Sequence, residues 1–326
     1  MFITKVSEFR CKGLVFKVLV LGFVFTINYQ LLTINCFAAG PGTTGAQFLK
    51  LGVGSRPVAM GEAFVAVADD VNAMQWNPAG LSQISSRQAS LVATEWFQAI
   101  HYGYLGYCQP FLGGVIGAAG TFLWIDGIER RTTDTPTPDG WIVARDLAIA
   151  ASYARTLSKQ TDIGGTVKII YQQLDDRTAT GVAMDLGLLY KLNVEKWTFG
   201  IALQNLGYES AFISEASSLP MNLKAGISNK YLPDKSGNYK LTFASDFNYG
   251  IMDNVWSIGA GIDWWIHPVF AVRCGYKYNS AMSSLGPLAG LTMGAGFKIN
   301  IFDIDYALVP YGDLGWTNRI SLLAKF

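Results

Sequence analysis

The chain has few charged residues and few histidines, and after its first few dozen residues it has no long apolar run. Only 15% of its 326 residues are charged and the formal net charge is +1, whereas ordinary soluble domains are about 25% charged. A chain with so little excess positive charge lacks the long-range attraction that nucleic-acid binding requires, so we expect no nucleic-acid partner. Beyond the N-terminal region, no segment approaches the roughly 20 apolar residues of a membrane-spanning helix.

Metal-ligating and catalytic side chains are also scarce. The sequence has two histidines, His101 and His267, and four cysteines, and their spacing is not that of a zinc or haem site. The acidic pair Asp69 and Asp70 has no recognisable nucleophile or base partner, and neither histidine is placed for a Ser-His-Asp arrangement. We therefore expect a protein that is not an enzyme and that has no metal site and no cofactor.

The N-terminal region has the features of an export signal. Basic residues precede or interrupt an apolar stretch from about Leu14 to Ile34, and small residues follow at Ala38 and Ala39. This order is typical of a secretory signal peptide, so we assign residues 1–39 to the signal. An uncleaved anchor helix is an alternative because the apolar stretch is long. Lipid attachment at Cys36 is a weaker alternative, since an asparagine precedes it.

From Gln88 onward, apolar and polar residues alternate with a period of two, which is typical of β-strands. Leu241 and Phe243, for example, share one face, while Thr242 and Asp246 share the other. The pattern predicts about fourteen strands, with ends uncertain by roughly two to four residues. We place them near 88–97, 100–109, 113–124, 145–156, 162–173, 181–192, 197–205, 221–229, 239–247, 255–265, 269–278, 288–298, 301–309 and 318–326.

The strand lengths indicate a membrane barrel. Most predicted strands have about nine to twelve residues, which matches the roughly 9–11 needed to cross a bilayer and exceeds the roughly 5–6 of soluble sheets. A closed barrel also pairs every backbone group without water. The sequence thus predicts an all-β fold, a transmembrane antiparallel outer-membrane β-barrel of about 14 strands in residues 88–326. A large soluble β-sandwich is the alternative.

Connection lengths and the last strand support the same fold. Outer-membrane barrels have short turns at one end and longer loops at the other, and only the connection near 230–238 departs from such an alternation. The longer connections are predicted at 309–317, 279–287, 248–254, 206–220, 174–180 and 125–144. The last strand ends in Phe326, which resembles the C-terminal signature that such barrels present to the barrel-insertion machinery.

Three stretches of sequence carry a family resemblance. Residues 45–70 read GAQFLKLGVGSRPVAMGEAFVAVADD, and residues 76–81 read WNPAGL. Residues 305–322 contain DYALVPYGDLG followed by TNRISL, and LQNLG occurs at 203–207. In these stretches the chain resembles the PorV/PorQ family, a branch of the FadL-like outer-membrane barrels.

The resemblance implies that residues 40–87 fold inside the barrel lumen as a hatch. Within that hatch it points to the motif formed by Asn77, Pro78, Ala79 and Gly80. The residues agree with this placement, because the segment is mixed in period, rich in small residues and too polar to face lipid. On their own, the Asn-Pro pair and the glycine predict a turn. A hinge role for the motif comes only from the resemblance, and both interpretations stay open.

The resemblance also implies a function in protein secretion. Members of the family are associated with the type IX secretion system, where they bind the translocon or secreted cargo. The candidate partner-binding residues are Arg130, Arg131 and Trp141, since arginines and tryptophan are enriched at protein interfaces. The alternative is FadL-like, hatch-gated uptake of a hydrophobic small molecule, and a mainly structural role is a third hypothesis.

Several charged residues fall on the strand face opposite the apolar one, and we expect them to face the lumen, away from the outer-membrane lipid. We interpret them mainly as a ladder of cross-strand ion pairs that stiffens the barrel. A role in conducting a substrate is the alternative. The residues are Lys168, Asp185, Asp263, Arg273, Asp303 and Asp305.

Overall fold

A computed structural model describes residues 40, 42–96, 99–134, 136–192, 196–214, 216–233, 239–281, 286–312 and 315–326. The predicted signal peptide lies outside these residues. From Gln88 onward the chain forms a closed antiparallel barrel of fourteen strands, each hydrogen-bonded to its neighbours along the chain. The strands are Gln88–Glu95 (β1), Ile100–Phe111 (β2), Gly114–Arg130 (β3), Gly140–Thr156 (β4), Thr161–Leu174 (β5), Arg177–Lys191 (β6), Trp197–Glu209 (β7), Asn222–Pro233 (β8), Tyr239–Gly250 (β9), Val255–His267 (β10), Phe270–Asn279 (β11), Leu291–Ile299 (β12), Phe302–Pro310 (β13) and Trp316–Lys325 (β14).

The barrel closes by pairing its first strand with its last. The ladder between β1 and β14 runs from the pair Gln88 and Lys325 to the pair Glu95 and Asn318. Because no edge strand is left, the backbone groups of the wall are paired within the sheet, as a bilayer requires. The predicted transmembrane antiparallel barrel is therefore confirmed.

The period-two pattern places apolar side chains outside and polar ones inside. In β6, Val182 and Leu186 are 57% and 46% exposed, whereas Asp185 between them is fully buried. The other strands also present large exposed apolar side chains, for example Ile169 of β5, Ile258 of β10 and Ile320 of β14. Together they form a lipid-facing surface around the barrel.

Two of the predicted long loops are wrong. Residues 174–180 contain only a two-residue connection, since β5 ends at Leu174 and β6 begins at Arg177. In 125–144, β3 continues through a bulge between Ile125 and Ile128 as far as Arg130, and β4 starts at Gly140. The sequence pattern failed here because polar residues at strand ends outside the lipid resemble loop residues.

The two ends of the barrel differ in their connections. One end carries short connections such as 112–113, 268–269 and 300–301, together with Phe326; we call it the inner end. The other end carries longer connections such as 210–221 and 280–290; we call it the outer end.

The segment before β1 fills the lumen. It contains two short α-helices, Ser55–Ala59 (α1) and Ala73–Trp76 (α2), and two 3-10 helices, Gln47–Lys50 and Pro78–Gln83. Its large apolar side chains, including Met60, Phe64, Met74 and Trp76, are at most 2% exposed and pack against wall residues such as Tyr104. The hydrophobic core of the protein thus lies inside the barrel, between this hatch and the wall. No helix in the described ranges is long and apolar enough to cross a membrane.

Candidate functional site

The hatch motif is buried against the wall. Asn77 donates from Nδ2 to the Val65 carbonyl at 2.9 Å and to the Leu188 carbonyl of β6 at 3.1 Å. Its Oδ1 accepts from the Ala79 amide at 3.2 Å, which caps the following 3-10 helix. Pro78 is the first residue of that helix, where its missing N–H costs nothing. Asn77 therefore ties two parts of the hatch to one wall strand.

Glycines in the wall make room for this motif. A Cβ on Gly164 of β5 would lie 2.5 Å from the Pro78 carbonyl carbon, and one on Gly187 of β6 would overlap Asn77 Oδ1. Gly261 and Gly275 likewise leave room for the hatch, because a Cβ on either one would overlap the backbone at Met60. Because backbone touches backbone at these seats, any larger residue would displace the hatch.

The inner end of the hatch is held by a cluster of ion pairs centred on Arg56. Its Nη1 lies 2.6 Å from Asp69 and 3.4 Å from Asp70, both in the hatch, and its Nε lies 2.9 Å from Asp263 of β10. Burial would raise the pKa of Asp69, but the Arg56 guanidinium lowers it well below the ordinary value. Burial dominates at Asp70 and raises its pKa.

The ion pairs continue along the wall. Arg273 of β11 joins Asp263 at 2.9 Å and Asp305 of β13 at 2.6 Å. We call Arg56, Asp69, Asp70, Asp263, Arg273 and Asp305 the inner ion cluster. It connects the hatch to three wall strands.

A cavity of about 320 Å³ opens at the inner end beside this cluster. Lys325, which pairs with Asp303 at 2.8 Å, and Lys298 are among its other charged walls. Trp265 also lines it and lies 5.9 Å from the Arg273 guanidinium. Its position follows from alternation, because Trp264 beside it takes the outward place and is 47% exposed.

The remaining predicted lumen charges form a separate buried pair. Lys168 of β5 and Asp185 of β6 are 2.7 Å apart with side chains at most 3% exposed. Lys168 also donates to Asn205 of β7 at 2.9 Å. The structure thus brings four of the six predicted lumen charges, Asp263, Arg273, Asp303 and Asp305, to the inner cavity, and places this pair elsewhere on the wall.

Different contacts hold the outer end of the hatch. Lys50 pairs with Asp253 at 2.7 Å, and Glu62 pairs with Lys277 of β11 at 2.5 Å. Burial would raise the pKa of Glu62, but the charge of Lys277 lowers it below the ordinary value of 4.5. Arg319 of β14 donates from Nη1 to the Gly52 carbonyl at 2.5 Å. These groups line a second cavity of about 320 Å³, the outer cavity.

A third cavity of about 320 Å³ crosses the barrel wall beside the outer cavity. Strand β12 begins at Leu291, which pairs with Tyr276, so in the described part of the chain the ladder between β11 and β12 does not extend to residues 277–279. The 3-10 helix Pro287–Gly290 borders this gap. Val58 and Val309 line the cavity from within, and the outward-facing Tyr276 and Tyr278 line it from the lipid side. We call it the side cavity.

The predicted partner-binding residues belong to a hairpin and not to a long loop. Arg130 ends β3 and pairs with Asp175, while Arg131 pairs with Glu129 at 2.7 Å. Trp141 lies in β4, paired with Glu129 across the ladder, and is 62% exposed. The hairpin extends at the outer end because its strands are the longest in the wall.

Two functional candidates were missed at the sequence level. Arg56 was recognised only as too polar to face lipid, and Arg319 was not singled out. Alternation gave a usable signal for Arg319, since Thr317, Arg319 and Ser321 share the inward face of β14. No pattern in the sequence pairs Arg56 with Asp263, because 207 residues separate them.

Comparison with solved structures identifies the fold. The Pseudomonas putida toluene transporter TodX superposes with a TM-score of 0.60 at 14% identity, over 84% of this chain and 96% of that one. The CymD monoaromatic hydrocarbon channel gives a TM-score of 0.57 at 12% identity, over 84% of this chain and 98% of that one. The chain therefore shares the fold of these two barrels.

Sequence comparison adds no closer relative. No family model matches the chain, and no curated protein matches it. Within the described residues there is also no group of three or more histidine, cysteine or acidic side chains that could hold a metal ion. The site is therefore defined by its geometry: a seated hatch, two cavities at its ends and one cavity through the wall.

Proposed function

We propose that the protein is an outer-membrane channel for hydrophobic small molecules, closed along its axis by the hatch and entered through the side cavity. The observation that carries this proposal is the side cavity itself, which adjoins both the lumen and the lipid-facing surface. Support also comes from the shared fold, since TodX is a toluene transporter and CymD a monoaromatic hydrocarbon channel.

The packing of the hatch favours a route through the wall. A path along the axis would have to break the inner ion cluster and lift Asn77 and Pro78 from their glycine seats. The side cavity avoids both, and its walls include apolar groups such as Val58 and Val309. Transfer of an apolar solute from water onto such apolar groups is favourable.

The same proposal fixes the organisation of the chain. Residues 1–39 would direct export and be removed, residues 40–87 would act as the hatch, and residues 88–326 would form the barrel. Phe326 would engage the insertion machinery, and the outer-membrane lipid would cover the apolar surface.

A paired substitution tests the route. Ala289 lines the side cavity, whereas the adjacent Leu288 does not and is 68% exposed. Ala289→Trp should fill the cavity and lower uptake of radiolabelled toluene several-fold in cells that produce the protein. Leu288→Trp adds the same ring outside the cavity and should leave uptake unchanged. Equal uptake by both variants, or no uptake above that of cells lacking the protein, would overturn the proposal.

Protein secretion is the second candidate function. It is supported by the resemblance of residues 45–81 and 305–322 to the PorV/PorQ family and by the hairpin that carries the exposed Trp141. In that case the hairpin would bind the type IX translocon or secreted cargo. Replacing 131–139 with an Asn-Gly turn would shorten the hairpin without touching the hatch. Loss of co-purifying secretion proteins with unchanged toluene uptake would assign the hairpin to secretion, and unchanged co-purification would count against it.

A further inference from the structure

The outer cavity has one more positive charge than its ion pairs can use. Its walls include three cations, Lys50, Lys277 and Arg319, and two carboxylates, Glu62 and Asp253. Each carboxylate is taken by one lysine, at 2.5 Å for Glu62 with Lys277 and 2.7 Å for Asp253 with Lys50. Among the described residues, none provides a carboxylate within ion-pair distance of Arg319.

Arg319 is also deeply buried. The residue is 2% exposed, its Nη1 is bound by the Gly52 carbonyl, and its Nε has no hydrogen-bond partner. Its guanidinium lies 5.8 Å from the Trp96 ring, and Glu62, which is paired with Lys277, is a more distant negative charge. A buried cation without a partner is costly, so the site is suited to an anionic group from outside the chain.

A second cation lies deeper on the same side. Lys224 of β8 sits 4.7 Å above the Trp76 ring, in a small adjoining cavity that shares Glu62 and Lys277 with the outer cavity. No ion pair to Lys224 occurs in the described part of the chain. Asp246 lines the same small cavity, so the positive charge of Lys224 is matched by a nearby carboxyl group, and the excess positive charge of the region is that of Arg319.

Unpartnered acceptors accompany the cations. Asn222, which is 9% exposed, and Asn248 both line the outer cavity, and the side-chain oxygen of each is buried without a hydrogen bond. Ser257 and Asn279 add further polar walls. These carboxamide oxygens can accept hydrogen bonds from the hydroxyl groups of a ligand.

We propose that the outer cavity binds a small hydroxylated carboxylate of the sugar-acid class. Its carboxylate would pair with the guanidinium of Arg319. Its hydroxyl groups would donate hydrogen bonds to the side-chain oxygens of Asn222 and Asn248. A neutral sugar would leave the cation unpaired, and an alkyl carboxylate would leave both asparagines unpaired. The two cavities share Glu62, Lys277, Asn279 and Tyr311, but Arg319, Asn222 and Asn248 line the outer cavity and not the side cavity, so the proposed ligand would be held beside the hydrocarbon route.

Calorimetric titration of the purified full-length mature protein in detergent tests the proposal, with glucuronate, glucose and decanoate as probes. Glucuronate should bind, and glucose should not. Arg319→Met should weaken glucuronate binding roughly 10-fold to 100-fold, the range for losing a charged hydrogen-bonding partner. Arg155→Met, the same change at an exposed arginine near the inner end of β4, should leave binding unchanged.

A second variant guards against misfolding of the first. Asn248→Leu keeps the cavity charge and should weaken glucuronate binding, while any decanoate binding stays as in the unmodified protein. Absence of glucuronate binding, or binding that neither Arg319→Met nor Asn248→Leu weakens, would overturn the proposal. Decanoate binding that depends on Arg319, without glucuronate binding, would also overturn it by showing that the site takes an alkyl acid.

Discussion

The two ends of the hatch are attached to the wall in different ways. At the inner end, Arg56 contacts three carboxylates, and one of them, that of Asp263, also pairs with Arg273. At the outer end, the ion pairs are single, and Arg319 has no carboxylate partner among the described residues. Both ends face a cavity of about 320 Å³.

The difference indicates that the two ends of the lumen are suited to different roles. In the inner ion cluster Arg56, Asp263 and Arg273 each have more than one partner, and such a network is costly to break, so the inner end is suited to holding the hatch. Single pairs and an unpaired cation leave capacity for another molecule, so the outer end is suited to receiving one.

The sharpest test of this comparison removes the centre of the inner ion cluster. Arg56→Met leaves Asp69, Asp70 and Asp263 without their shared cation. The free energy of unfolding should therefore fall by about 3 kcal/mol. This value is at the low end for a broken buried ion pair because the Arg56 side chain is 17% exposed. Denaturant unfolding in detergent and protease cleavage within residues 42–87 measure it. The matched outer variant Lys277→Met should cost about 1 kcal/mol. Equal losses would mean that the two ends hold the hatch alike.

A smaller effect is expected at the glycine seat of Pro78. Gly164→Ala places a methyl group 2.5 Å from the Pro78 carbonyl carbon and should cost about 1–3 kcal/mol through displacement of the hatch. Gly120→Ala is the control, since a Cβ there meets nothing within 4 Å. Its cost should stay within about 0.5 kcal/mol. Indistinguishable unfolding curves for the two variants would show that the seat is not tight.

The smallest expected effect is a difference in acid sensitivity. The pKa of Glu62 is lowered below 4.5, so its stabilisation is complete above about pH 4.5 and is lost as the pH falls through the lowered value. At the inner end, the lowered pKa of Asp69 also makes acid destabilising. The raised pKa of Asp70 has the opposite effect on stability, because protonation of Asp70 relieves the cost of burying its charge. Amide protection near 61–64 should therefore decline before protection near 55–57.

Glu62→Gln provides the control for that experiment, because it removes the titrating group from the outer end. In this variant, protection of 61–64 should no longer depend on pH in the range where Glu62 titrates. Earlier loss at the inner end of the unmodified protein would reverse the comparison.

Much of the wall was predictable from the sequence. Alternation placed all fourteen strands, and it put Asp185 inside between Val182 and Leu186, which face lipid. Strand ends were less accurate, as in the hairpin of Arg130 and Trp141, because a strand that leaves the lipid no longer needs apolar residues on its outer face. The position of the hatch inside the lumen followed from family resemblance and from its polar residues.

The sequence by itself determined the barrel, because a period-two pattern acts locally, residue by residue, and closure follows from the need to pair every edge in lipid. Only the tertiary structure decided which charges meet. Arg56 reaches Asp263 across 207 residues, and Arg319 lies at the outer cavity with no carboxylate among the described residues close enough to form an ion pair. Such partnerships depend on how the hatch is rotated and seated in the lumen, and that is set by side-chain volumes and glycine positions on many strands at once.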